Sequence, residues 1–349
     1  MLTECRHDIS EMELPELEQA LDSLGQPRFH ARQLYQWVHK RGVTEFAGMT
    51  DLGRDLRSTL ASAFCISTPE LVRRERSIDG TTKFLLRLDD GHLIESVFIP
   101  DTPSNTFCLS TQVGCAMRCG FCLTGRMGII RNLTAGEIAG QVRVLARELD
   151  MLQSRFNIVL MGMGEPLHNY DATMKALRML ADERGLAVSP RRVTLSTVGV
   201  LPNLAISLHA TTEDQRDLLV PINRKYGLKE LLDACRRFPI KRRERITFEY
   251  VLLKDVNDTD EDARRLVRLL HGIRAKVNLL PLNEAAGIPY ERPSDARVNR
   301  FGQILAERGV AVSVRKSRGR DIRAACGQLI TESAHQKSPG QLLANLMSV

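Results

Sequence analysis

From residue 106 onward, short apolar runs alternate with amphipathic stretches, and this alternation restricts the fold more than any other feature. Runs at 106–110, 156–161, 192–197, 204–208, 246–252, 276–280 and 310–314 have strand character. Between them, 134–149, 171–184, 228–237, 259–271 and 294–308 repeat apolar residues at helical spacing. The first of these helices opens with Thr134-Ala-Gly-Glu137, a capping box, and carries Ile138, Val142, Leu145 and Leu149 on one face. Such alternation predicts an α/β chain with a parallel sheet, open or barrel-like, and ligands at the C-terminal strand ends. One connection breaks the rule. Residues 198–203 alone separate Thr197 from Leu204, and a parallel crossover needs about a dozen residues. Either these strands are not parallel neighbours or a helix is missing.

Upstream the pattern changes. Residues 1 to 75 read as helical: Ala31, Leu34, Tyr35 and Val38 recur at helical spacing, and 51–63 reads as a further helix. Segments 82–88 and 93–99 read as a hairpin turning at Asp89-Asp90-Gly91. Of 349 residues, 43% are apolar, which suffices for a core and excludes a disordered chain. No apolar run approaches the length of about 18 residues that a membrane helix needs, and the acidic, interrupted N-terminus is no secretory signal. The expectation is a cytoplasmic protein with no membrane partner.

The net charge is +7, and the cations are 39 Arg against 10 Lys. Clusters lie at Arg73, Arg74 and Arg76; at Arg191 and Arg192; at Lys241, Arg242, Arg243 and Arg245; and at Arg315, Lys316, Arg318, Arg320 and Arg323. Any one cluster reads as a solvated surface. Together they suit a polyanionic partner, because arginine presents a fork that matches phosphate.

Eight cysteines in a chain without an export signal imply a reducing compartment, where structural disulfides are not expected. Cys115, Cys119 and Cys122 crowd into eight residues of one loop, directly after the first strand of the alternation. Three thiolates are one short of a closed zinc or iron–sulfur site, so a cluster held by them leaves one iron open to an outside ligand. The alternatives are a zinc knuckle with a remote fourth ligand, or cysteines packing as small hydrophobes. Cys65 and Cys235 read as buried small hydrophobes, and Cys5 matches no motif.

The CxxxCxxC spacing is similar to that of the radical S-adenosylmethionine (SAM) enzymes. The surrounding motifs go further. Cys108-Leu-Ser-Thr-Gln-Val-Gly-Cys115, Met161-Gly-Met-Gly-Glu165-Pro166, Val193-Thr-Leu-Ser196-Thr, Leu204-Ala-Ile-Ser207-Leu208-His209, Phe248-Glu-Tyr-Val, Val277-Asn-Leu-Leu-Pro-Leu-Asn283 and Arg318-Gly-Arg-Asp-Ile-Arg-Ala-Ala-Cys326-Gly-Gln-Leu occur in order along essentially the whole chain. Together they resemble the RlmN/Cfr family of radical SAM RNA (adenosine) methyltransferases, with Glu165-Pro166 closer to the RlmN branch.

That resemblance implies a partial (β/α)6 radical-SAM barrel with a small N-terminal helical accessory domain and a C-terminal loop bearing a catalytic cysteine. The division would be 1–75 (helical, RNA-binding), 76–105 (hairpin linker) and 106–349 (barrel and C-terminal extension). Cys115, Cys119 and Cys122 would hold a [4Fe–4S] cluster. Gly164, Glu165, Ser196, Ser207, Leu208, His209 and Asn283 would line the SAM site; taken singly, Ser196 and Ser207 read as caps and His209 as a core histidine. The reaction would use two SAM molecules per turnover. One methylates Cys326; the second yields a 5′-deoxyadenosyl radical that takes a hydrogen from the S-methyl group. The resulting methylene radical adds to adenine, the ring proton goes to Glu95, and Cys108 attacks sulfur to release product, leaving a disulfide. Cys108 would act as a thiolate, and Arg318, Arg320 and Arg323 would supply positive charge to Cys326.

Implied partners are large-subunit ribosomal RNA near the peptidyl-transferase centre, transfer RNA beside the anticodon, and an electron donor such as flavodoxin or ferredoxin. The helical N-terminal region and the basic clusters would grip the RNA, and the chain would be a monomer. The expected product is C2-methyladenosine. The alternatives are Cfr-like methylation at C8, or an RNA-binding protein whose catalysis is impaired by the missing barrel helix, since family members usually carry a helix between the Ser196 and Ser207 strands.

Overall fold

The computed structural model describes residues 7–100, 104–197, 204–240 and 244–331. Three helices open it: α1 (Leu14–Ser23), α2 (Phe29–Tyr35), which runs on into a π-helical turn over Gln36–Lys40, and α3 (Arg54–Ala63). Leu17, Leu21, Ala31, Leu34, Tyr35, Val38 and Leu60 form their core, so the helical spacing of the sequence is the buried stripe. The helical reading does not extend to residue 75. Glu70–Arg76 is strand β1, and its charged residues face solvent along a sheet edge, where charge discourages further pairing.

Strands β2 (Thr82–Arg87) and β3 (Leu93–Ile99) form the expected hairpin, with Gly91 at φ +85° in the turn. β4 (Thr106–Cys108) pairs antiparallel with β3. A two-stranded ribbon follows, β5 (Gln112–Gly114) with β6 (Ile129–Asn132), enclosing the short α4 (Leu123–Met127). Then the alternation begins: α5 (Ala135–Glu148), β7 (Asn157–Leu160), α6 (Tyr170–Ala181), β8 (Val193–Thr197), β9 (Leu204–Ser207), α7 (Glu213–Leu219), α8 (Leu228–Arg237), β10 (Ile246–Leu252), α9 (Asp260–Leu269), β11 (Ala275–Pro281), α10 (Asp295–Glu307) and β12 (Ala311–Val314). The sheet order is β1-β2-β3-β4-β7-β8-β9-β10-β11-β12, parallel from β4 to β12.

β8 and β9 are parallel neighbours, with Ser196 opposite Ala205. Of the two readings of the short connection, the one in which these strands are not parallel neighbours is therefore excluded. Residues 198–203 lie outside the described chain, as do 1–6 with Cys5, and Lys241, Arg242 and Arg243.

Side chains alternate along each strand. Ile158, Leu160, Phe248, Tyr250, Val277 and Leu279 face the helices and are buried. Their neighbours Asn157, Val159, Glu249, Lys276 and Asn278 line a cavity of about 660 Å³. A filled barrel carries branched aliphatic residues at such positions; here polar ones keep the interior open. The N-terminal helices seat on this frame through Glu11, which accepts the Thr134 hydroxyl and the Gly136 N–H (2.7 Å) at the start of α5. The Thr134–Glu137 capping box is formed there as well. Arg178–Glu13 and Lys175–Glu16 pairs, both at 2.7 Å, tie α6 to α1.

Candidate active site

β5 delivers Gly114 at φ +80°, where a Cβ would strike the Gly128 carbonyl that instead accepts the Cys115 N–H at 2.9 Å. The turn thus needs glycine, and it closes the loop carrying Cys115, Cys119 and Cys122. Gly125 lets α4 approach, since a Cβ there would lie 2.8 Å from the Cys119 nitrogen. Phe121, Leu219, Val220, Leu253 and Leu282 make an apolar wall against which Cys119 and Cys122 pack. Burial pushes the Cys115 thiol up to about 12 and raises Cys119 and Cys122 too; Cys122 and Cys115 push Cys119 higher still.

The three sulfurs therefore face one another. Among the described residues, however, no three His, Cys, Asp or Glu side chains converge on the spacing of a single metal ion. Zinc, with Zn–S bonds of about 2.3 Å, would draw its thiolates to within about 4 Å of each other. An iron–sulfur cube holds each thiolate on a separate iron. Three cysteines in one loop against an apolar wall fit the three protein ligands of such a cube. Coordination to iron also reverses the thiols' reluctance to ionise.

The other named residues gather at the C-terminal strand ends. Gly164 has φ +106°, and a Cβ there would lie 2.7 Å from the Gln112 nitrogen. Glu165 is buried, its N–H donating to Gln112 Oε1 at 3.0 Å, and its carboxylate raises the Cys115 and Cys119 thiols, so it stands beside the cysteine loop. Ser196 lies in β8 and Ser207 ends β9. Beyond Ser207, the Leu208 carbonyl accepts the Ala210 N–H at 2.8 Å across His209 at φ +57°, a tight turn unusual for a non-glycine residue. His209 Nδ1 accepts the Val251 N–H at 3.0 Å, and burial lowers the ring to about 3, so it stays neutral with its proton on Nε2. Fully buried Arg216, absent from the sequence reading, braces this turn by donating to the Leu208 and Ser207 carbonyls and to Asn223. Asn283 donates to the Cys326 carbonyl at 3.1 Å, while its buried Oδ1 has no partner. An orphaned acceptor of this kind fits a ligand donor such as the SAM amino group.

Cys108 and Cys326 line the same cavity. The segment bearing Cys326 is pinned on both sides. Asp79 accepts the Gly319 N–H (3.0 Å), and Asp321 accepts the Ser77 hydroxyl (2.6 Å) and the Ile78 N–H (3.2 Å). Downstream, the Leu123 N–H donates to the Gly327 carbonyl (2.8 Å) and Thr124 to the Leu329 carbonyl (2.7 Å), which seats Cys326 against the cysteine loop. Arg318 lines this cavity too, but the cation that bears directly on both thiols is a different one. It is Arg315, which follows β12, pairs with Glu249 at 3.7 Å, and is held charged by Cys326 first and by Glu249 and Cys108 after it. Nor does Cys108 rest as a thiolate. Burial pushes it up to about 12 and outweighs Arg315.

Glu95 does not join this cavity. It faces a smaller one of about 270 Å³, together with Lys83, Asp321 and Ile330. Oε1 pairs with Lys83 at 3.0 Å and Oε2 accepts the Ile330 N–H at 2.8 Å. Burial raises its carboxyl, and Lys83 opposes the shift. Cys235 is buried in α8 as expected, but Cys65 is disulfide-bonded at the point where Asp8 bridges to it, contrary to its reading as a small hydrophobe.

Two family models match. Residues 7–66 match "Ribosomal RNA large subunit methyltransferase N-terminal domain" and 109–267 match "Radical SAM superfamily". The "Dual-specificity RNA methyltransferase RlmN" of Paracoccus denitrificans is 47% identical over 94% of this chain and 91% of its own length; that of Geobacter sulfurreducens is 50% identical over 92% and 91%. The chain belongs to the RlmN family of radical SAM RNA methyltransferases. A crystal structure of a radical SAM methyltransferase from Sphaerobacter thermophilus superposes with a TM-score of 0.88 at 45% identity, covering 93% of this chain and 99% of that one. As an RlmN-family enzyme the chain uses a [4Fe–4S] cluster and two SAM molecules per turnover. No helix among its described residues is long and apolar enough to cross a membrane.

Proposed function

We propose that this enzyme methylates C2 of an adenosine in large-subunit ribosomal RNA and of the adenosine beside the anticodon in transfer RNA, through an S-methylcysteine at Cys326. The observation that carries this reading is the meeting of Cys108 and Cys326 in one cavity beside the cysteine loop. Adenine C2 is an sp² C–H carbon, neither acidic nor nucleophilic, so it cannot displace a methyl group from a sulfonium by itself. Cys115, Cys119 and Cys122 would hold the cluster, which would supply the electron for radical chemistry on SAM, while SAM would supply the methyl group.

The chain's residues do the rest. Gly164, Glu165, Ser196, Ser207, Leu208, His209 and Asn283 hold SAM. Cys326 Sγ takes the methyl group and presents it to the ring. Cys108 Sγ then attacks Cys326 Sγ; the carbon–sulfur bond breaks with its electron pair on the ring-bound carbon, which takes a proton to become the methyl group, a disulfide remains, and the one surplus electron would return to the bound cluster. Arg315 supports the Cys108 thiolate that forms in this step. Glu95, its carboxyl raised toward the range of a useful base, takes the ring proton. In the structure both its oxygens are engaged, by Lys83 and by the Ile330 N–H.

The adenosine leaves its stack to reach this interior. The chain works as a cytoplasmic monomer with an electron donor of the flavodoxin or ferredoxin class. Nucleoside mass spectrometry of RNA treated with the reconstituted enzyme tests the reading. It predicts 2-methyladenosine; 8-methyladenosine as sole product would refute the C2 assignment.

A further inference from the structure

Surface cations of this chain commonly have a carboxylate of their own. Arg28 pairs with Asp22, Arg32 with Glu18, Arg178 with Glu13 and Arg268 with Glu261. Exposed pairs of this kind contribute little and leave little field for a partner. The cavity that holds Cys108 and Cys326 is built differently. Arg191, Arg192, Lys276, Lys316 and Arg318 line it, and none of the five forms an ion pair among the described residues. The carboxylate in that lining, Glu249, is paired by Arg315 at 3.7 Å.

Topology places these cations at the two ends of the cavity. Arg191 and Arg192 immediately precede β8, and Lys276 is the second residue of β11, so these three ring the N-terminal mouth of the sheet. Lys316 and Arg318 follow β12, the edge strand, beside the segment that carries Cys326. A cleft lined by one sign of charge focuses its field on an anion. The volume of about 660 Å³ lies within the range of ligand sites.

We infer that Arg191, Arg192, Lys276, Lys316 and Arg318 bind backbone phosphates of the RNA strand on either side of the target adenosine. The electrostatic grip on RNA then extends into the barrel and is not confined to the helical N-terminal region. There Arg28 and Arg32 are already paired and Arg41 stacks on Trp37 at 3.9 Å. Phosphate contacts set position and register, and here they thread the strand past the two thiols. The inference rests on the reading of RNA as the substrate.

The test is the salt dependence of RNA binding. The full chain, reconstituted without oxygen, is titrated with a hairpin RNA carrying the target adenosine, from low to near-physiological salt. In the R191Q/R192Q/K276Q variant, the slope of log K against log salt should fall by about two, at about 0.7 per phosphate for a single strand, with at least a tenfold loss of affinity. The R191K/R192K/K276R variant should keep the slope, and R28Q/R32Q should match the parent. A parental slope in the glutamine variant, with its melting temperature unchanged, overturns the inference. If that variant does not fold, K316Q/R318Q decides: a slope lower by about 1.4 supports the site, and a parental slope overturns it. Methyladenosine formed by the parent in the same preparation reports the functional reading separately, so normal product with an unchanged slope in the variants removes the inference alone.

Discussion

Cys115, Cys119 and Cys122 share one loop, whereas Cys108 and Cys326 come from opposite ends of the barrel sequence and meet only in the folded chain. The loop trio sits against an apolar wall, with Gly114 at its tight turn and Gly125 where α4 packs close. The distant pair sits in a polar cavity with Arg315 and Glu249. The first site is a local device: spacing and two glycines nearly suffice to gather three cysteines in one loop. The second depends on the whole frame, because Asp79, Asp321, Asn283, Leu123 and Thr124 must all hold the Cys326 segment. A trio made this way suits a bound inorganic group that stays put. A pair made this way suits a thiol that must receive, carry and release a carbon.

The sharpest way to break this comparison is to show that the two sites are one. Cys326→Ala should abolish methyladenosine formation while iron content and visible absorbance stay at the parental level. Loss of iron in that variant would mean the sites are not separable. The converse substitution, Gly114→Ala, places a Cβ against the Gly128 carbonyl at φ +80°. Strain of about 1–3 kcal/mol is expected, and iron occupancy after reconstitution should drop at least several-fold. Full occupancy would show that the loop does not need this turn.

The burial of Cys108 gives a pH signature that the loop cysteines lose once they bind iron. Its folded value of about 12 lies above the ordinary thiol value near 9. A raised acid contributes stability that is complete below about pH 9 and lost as pH rises toward 12. On the order of 4 kcal/mol is at stake from a shift of this size. Thermal melts should therefore fall with pH over that window in the parent and fall less in Cys108→Ala; parallel curves would refute the buried, protonated thiol. A smaller effect tests the frame. Asp321→Asn weakens the clamp before Cys326 by about 1 kcal/mol, and iodoacetamide should label Cys326 several-fold faster. An unchanged rate would mean that the segment is held from downstream alone. Smallest of all, Glu11→Ala removes the acceptor at the start of α5 and should lower stability by about 1 kcal/mol in urea.

The same contrast explains what could be read from the amino acids. The cysteine loop, the Thr134–Glu137 box, the Asp89-Asp90-Gly91 hairpin and the βα order obey short-range rules, and each appears where the pattern puts it. β1 was hidden because its pairing with β2, not its composition, makes it a strand. The β5–β6 ribbon was hidden because each strand is too short for a period to show. Arg315 and Arg216 carry no local signal; one acts from the end of the last strand, the other from beneath a turn. Glu249 did leave a trace, as the lone carboxylate in an otherwise apolar-rich strand, ITFEYVL. Glu95 shows the limit of motif reasoning: the residue is buried and poised, yet it faces a cavity separate from the thiols.

The most direct test of the account is the fate of RNA in Cys108→Ala. With cluster, SAM, reductant and target RNA supplied, the account predicts a covalent protein–RNA adduct on denaturing gels, joined through one carbon between Cys326 and adenine and accumulating to about one per active chain. Free methylated RNA released at the parental rate, with no adduct, would contradict it.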